Sequence, residues 1–142
     1  MKKRLTSLVL GGLIAVSAII APYASASAAT RQIDLSGWQN DTYTVSAVLE
    51  RNDTDNYDFT APVSGTYTFT TAASFGSKGI LNDLTTKQTY IDVSSGQGKN
   101  FLIRKHLNQG DSCDLAVKSF AIDPARRQWG SYSLFINITQ DH

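Results

Sequence analysis

Few side chains in this sequence could do covalent chemistry. Its 142 residues include one cysteine, Cys113, and two histidines, His106 and the C-terminal His142. Nucleophilic catalysis needs a Ser, Thr or Cys beside a base that a third group holds in place. Cys113 alternates with Leu115 and Val117, which turns its sulfur toward an apolar face, whereas His106 shares the outward parity of Arg104. Side chains on opposite faces of a sheet do not meet without a bulge. There is no Gly-x-Ser-x-Gly elbow, and "SGQGKN" at 95–100 lacks the spacing and the trailing Ser or Thr of a phosphate loop. The chain is therefore expected to be no enzyme, with no organic cofactor.

Two other groups of residues suit binding. Asp53 and Asp55 in "RNDTDNYDF" are hard oxygen donors on a turn, the donor type that calcium takes. The glycine and distal Glu of a calcium loop are missing, and the competing reading has Asp53 and Asn56 bonding nearby backbone to start the turn. Arg126, Arg127 and Trp129 fall in "AIDPARRQWG", the longest irregular stretch, at 121–130. Planar guanidinium and indole groups on a loop can stack on sugar rings, aromatic side chains or an anionic polymer. The alternative is that Trp129 plugs an open end of the core while the arginines stay solvated. Trp38 in "SGWQND" is a weaker candidate of the same kind.

The elements that must position these residues are strands. Period-2 alternation recurs along most of the chain: Tyr43, Val45, Ala47 and Leu49 share a face, as do Tyr57 and Phe59, Tyr67 and Phe69, Ile91 and Val93. Phe101 with Ile103, Cys113 with Leu115 and Val117, and Tyr132 with Leu134, Ile136 and Ile138 repeat the pattern. Turn-forming clusters at 52–56, 62–65, 76–79, 94–98 and 108–111 separate the runs. Strands that are apolar on one side only must bury those sides together. The expected fold is all-β, an antiparallel, jelly-roll-like β-sandwich of about eight strands.

The chain opens with Lys2, Lys3 and Arg4, an apolar run from Leu5 to about Ala21, and two A-x-A sites ending at Ala26 and Ala28. That reads as a secretory signal peptide spanning 1–28, removed after 26 or 28, with a single domain at 29–142. Beyond the leader, ten basic residues face twelve acidic ones, so the net charge moves from +1 to −2. A global basic field for nucleic acid is absent, and no membrane association is expected after cleavage. A lone cysteine permits no intramolecular disulfide, so stability must come from packing. The style of the leader suggests a bacterial, secreted, extracellular product.

"DNYDFTAPVSGTYTFTT" at 55–71, then "LNQGDSCDLAVKSF" and "WGSYSLFINI", resembles the bacterial pre-peptidase C-terminal domain. In that family an Asp-x-Tyr-x-Phe strand leads through a Pro-x-x-Gly corner into Thr-Tyr-x-Phe, followed later by a Leu-x-x-Gly-Asp turn and a last strand opening on Gly-Ser-Tyr. The match runs from about Asp53 to Ile138. The family's Asp-Leu-x-Leu-Tyr strand is present only as "GILNDLTTKQTYID", and Cys113 stands where an aromatic is common. Such domains usually trail a secreted hydrolase, so the resemblance implies a stand-alone, non-catalytic module that docks on an extracellular polysaccharide or protein surface. The alternative class is a secreted interaction or structural protein, such as a protease inhibitor, a matrix component or a toxin-like effector.

Overall fold

The computed structural model describes residues 29–51, 53–93, 100–120 and 129–142. The expected leader at 1–28 lies outside the described residues, as do Arg126 and Arg127.

Nine strands follow one another: β1 (Ala29–Gln32), β2 (Asp41–Leu49), β3 (Thr54–Thr60), β4 (Gly65–Ala73), β5 (Ser77–Asp83), β6 (Gln88–Val93), β7 (Leu102–Leu107), β8 (Ser112–Ser119) and β9 (Gly130–Gln140). They form two sheets, one in the order β2-β9-β4-β7 and one in the order β1-β3-β8-β5-β6. The alternation seen in the sequence is the cause. In β3 and β4 every second residue is buried (Asp55, Tyr57 and Phe59; Tyr67, Phe69 and Thr71), and the residues between them are at least partly exposed. The inner faces close over one core, in which Tyr57, Tyr67, Phe69, Leu81, Phe101, Leu115, Leu134 and Ile136 have no accessible surface.

The Pro-Val-Ser-Gly corner at 62–65 joins β3 to β4 and so carries the chain from one sheet to the other. Tyr67 fixes the corner from within by donating its hydroxyl to the Val63 carbonyl at 2.8 Å. Gly65 must be glycine there: a Cβ at that position would lie 2.3 Å from the Thr139 carbonyl oxygen. Asp111 and Asp83 shape two further turns, accepting from the backbone N–H of Asn108 at 2.8 Å and of Thr85 and Thr86 at 3.0 Å.

Two details differ from the expectation. β1 runs parallel to β3, from Ala29 opposite Asp55 to Gln32 opposite Asp58, so the sheets are not wholly antiparallel. Ile91 and Val93 face outward, with Ile91 58% exposed. Register imposes this: Ile91 lies opposite Ile80, while the fully buried Leu81 lies opposite Tyr90. The inward positions of this edge strand go instead to Tyr90, whose ring lies 4.6 Å from the Lys105 ammonium, and Asp92, which accepts from the Leu102 N–H at 2.8 Å.

Candidate functional site

The end of the sandwich where β2 finishes and β9 begins brings together the polar groups with the most specific geometry. Leu49 pairs with Gly130 across the β2–β9 ladder, so the residues just beyond each strand are neighbours. Arg51, two residues past Leu49, and Trp129, one before Gly130, meet there. The guanidinium carbon sits 5.2 Å from the indole centroid, a cation–π arrangement between an exposed arginine and a half-buried tryptophan.

Beneath that end, a chain of hydrogen bonds crosses from one sheet to the other. Asp55, only 5% exposed, accepts from the Tyr132 hydroxyl at 2.6 Å. The Tyr57 and Tyr132 hydroxyls are 2.5 Å apart. Because Tyr132 spends its single proton on Asp55, Tyr57 must donate to Tyr132. Arg31 completes the chain, donating to the Tyr57 hydroxyl at 3.2 Å and lying 3.4 Å from the Asp55 carboxylate. Burial pushes the Tyr57 hydroxyl up to about 12 and moves that of Tyr132 upward as well, with the neighbouring Tyr57 and Asp55 adding to the second shift. These hydroxyls therefore stay protonated at neutral pH.

Among the described residues the sequence-derived candidates fall at both ends of β2. Trp38 precedes the start of β2 and packs edge-on against Tyr43 with centroids 5.7 Å apart, so it lies at the opposite end of that strand from Trp129. Arg126 and Arg127 fall outside the described residues. Asp53 is half-buried in the turn after β2, and its own N–H bonds the Glu50 carbonyl at 3.1 Å. Asp55 points inward, where the Arg31 guanidinium faces it at 3.4 Å, whereas Asp53 stays in the turn. Among the described residues no group of three or more His, Cys, Asp or Glu side chains could hold a metal ion.

Cys113 is buried on the inner face of β8, and desolvation, with the Asp83 and Asp111 carboxylates adding to it, pushes its thiol up to about 12. His106 lies exposed in the other sheet, its Nε2 2.8 Å from Asp141 Oδ2. The two cannot cooperate. Sequence reasoning did not single out Arg51 or Arg31, because only the β2–β9 register and the parallel placement of β1 bring them to their partners.

No protein-family description matches the chain, and no curated protein matches it. Solved structures do match its fold. The pre-peptidase C-terminal domain of collagenase from Bacillus anthracis superposes with a TM-score of 0.51 at 16% identity, over 78% of this chain and 96% of that one. The periplasmic inhibitor of g-type lysozyme from Aeromonas hydrophila gives 0.58 at 15% identity, over 79% and 98%. Its counterpart from Salmonella Typhimurium gives 0.54 at 18% identity, over 77% and 96%. The chain thus has a β-sandwich like that of the pre-peptidase C-terminal domain, a fold also seen in lysozyme inhibitors. No helix among the described residues is long and apolar enough to cross a membrane.

Proposed function

We propose that the chain is an exported, non-catalytic binding protein that engages the surface of another protein, in the manner of an inhibitor, through the end of the sandwich carrying Arg51 and Trp129. The observation that carries this reading is the Arg51–Trp129 stack. It puts a guanidinium with free donor directions on an aromatic anchor, the residue pair most enriched at the energetic centre of protein interfaces, and it stands on a rigid scaffold. Arg126 and Arg127 stand shortly before Trp129 in sequence, and a partner with exposed carboxylates would suit the Arg51 guanidinium. Support also comes from elsewhere: two of the matching folds belong to lysozyme inhibitors.

Testing requires the leaderless chain immobilised and exposed to secreted and periplasmic protein fractions, to purified g-type lysozyme, and to insoluble cell wall, chitin, cellulose and collagen. Capture or inhibition of a protein, weakened about tenfold or more by Arg51→Ala or Trp129→Ala with the melting temperature of Arg51→Ala unchanged, is the expected result. Retention on an insoluble polymer alone would replace the protein partner with a polysaccharide or matrix one. Protein capture indifferent to both substitutions would move the site away from this end.

A further inference from the structure

The two sheets are unequal, one of four strands and one of five. Among the described residues the four-stranded sheet ends at β2, with β9 as its only neighbour in the strand order. On β9 the inward residues Tyr132, Leu134 and Ile136 are buried to 3%, 0% and 0% exposure. On β2 their direct partners Ala47, Val45 and Tyr43, facing the same way, are only half-buried. An apolar inner face is therefore left partly open along an edge. Among the described residues the edge is also unguarded: nine residues, DTYTVSAVL, pair with β9 in unbroken register, without a bulge, a proline or a lysine, and with one charge at the extreme end, Asp41. Natural edge strands usually carry such devices to prevent pairing with another chain.

The sequence of β2 is complementary to itself. When two copies run antiparallel about a twofold axis at Val45, Val45 meets its own twin and Tyr43 meets Ala47, a large residue against a small one on the inner face. On the outer face Thr44 meets Ser46 and Thr42 meets Val48. Asp41, the one charge, meets Leu49, so no like charges oppose one another. The backbone groups of β2 not used by β9 alternate along the strand, and either phase of that alternation closes a ladder about this axis. We propose that a second copy of this chain adds at β2 in this register, joining two four-stranded sheets into one continuous eight-stranded sheet and covering Tyr43, Val45 and Ala47 of each copy.

The experiment uses the leaderless chain and measures mass by sedimentation and light scattering from low micromolar to near-millimolar concentration. A concentration-dependent dimer is expected. Thr44 and Ser46 are exposed and face outward, so Thr44→Lys with Ser46→Lys, and separately Thr44→Glu with Ser46→Glu, should fold as wild type does. Each variant alone should dissociate about tenfold more readily or stay monomeric, and an equimolar mixture of the two should recover the dimer. Val45→Cys should form an intermolecular disulfide under mild oxidation, since directly opposed Cα atoms lie about 5 Å apart. Thr42→Cys should not, its twin being about 20 Å along the strand. The proposal is overturned by a monomer at every concentration, by a dimer indifferent to the charge pairs, or by cross-linking at residue 42 in place of 45. It is equally overturned if the chain alone stays monomeric and its β2 edge is taken by a strand of a different protein.

Discussion

The hydroxyl of Tyr132, on the last strand, donates to the carboxylate of Asp55, on the third, at 2.6 Å across the interior of the sandwich. This bond ties one sheet to the other at the end that carries Arg51 and Trp129. Tyr132→Phe removes the donor and leaves a buried carboxylate with Arg31 alone. A loss of about 2 to 3 kcal/mol is expected from denaturant unfolding, the range for a hydrogen bond to a charged group together with the desolvation left uncompensated. Equal stability in the Phe variant would mean that Arg31 alone satisfies Asp55.

Calcium should leave the melting temperature unchanged. Arg31 and Tyr132 both engage Asp55 Oδ2, and a positive guanidinium beside that carboxylate opposes a second cation. A rise in melting temperature that disappears in Asp53→Ala would instead place the ion on Asp53 with other oxygens of that turn.

Alkaline pH should unfold the protein in a defined window. The Cys113 thiol is pushed from 9.0 to about 12, and Tyr57 from 10.0 to about 12. Both are acids whose folded value exceeds the unfolded one. Their contribution to stability is thus complete below pH 9 and is lost as the pH rises toward 12, because the unfolded chain gives up these protons first. In Cys113→Ala the decline should begin nearer pH 10, as pH-dependent melting would show. Native protein at neutral pH should resist thiol reagents that label Cys113 rapidly in denaturant.

Asp58 and Asp114 lie directly opposite on β3 and β8. Partial burial, with the Asp58 charge next in importance, raises Asp114 above the usual carboxylate value, and Asp114 Oδ1 has no hydrogen-bond partner among the described residues. The folded state holds this proton more tightly than the unfolded state, so its contribution is present at acid pH and lost as the pH rises through the elevated value. Asp114→Asn should raise the melting temperature at pH 7 by about 1 to 3 °C, solvent screening most of the repulsion, and give no gain at acid pH. A gain that does not vary with pH would point to packing as its cause.

Gly65→Ala should be among the most damaging single substitutions. The added methyl would lie 2.3 Å from a backbone carbonyl of β9 and 2.9 Å from the Gln140 Cα, and neither is a flexible side-chain end that can swing aside. A loss of about 3 kcal/mol or more is expected, beyond that of ordinary overpacking. Gly79→Ala meets the Phe101 ring at 2.5 Å; a ring can tilt, so the loss should be smaller.

Much of the fold was legible because its strands follow period 2, and burial enforces that period: Tyr57, Phe59, Tyr67, Phe69, Leu115 and Ile136 lie where their parity put them. The pattern failed at Ile91 and Val93, since an edge strand is covered too little for hydrophobicity to decide its facing, and pairing with β5 decides it. β1 was not foreseen, because four residues in parallel pairing carry no alternation long enough to read. The site was less legible than the fold. Trp129 was recognisable as a loop aromatic, but its partner Arg51 lies 78 positions away in sequence and becomes its neighbour only through register.

The position of β9 also bears on the order in which the chain can fold. β9 is the last strand, yet it lies between β2 and β4, pairing Ile138 with both Asp41 and Tyr67. As a chain emerges from its N-terminus, β2 and β4 have no ladder between them until residues 130–140 arrive. Closure of that sheet is thus dominated by contacts of long sequence separation, which slows folding to the millisecond-to-second range. Meanwhile the threonine-rich and valine-rich edges stay open to other chains. Truncation before Gly130 should therefore leave an aggregating fragment, whereas supplying residues 130–140 as a separate peptide should rescue its solubility.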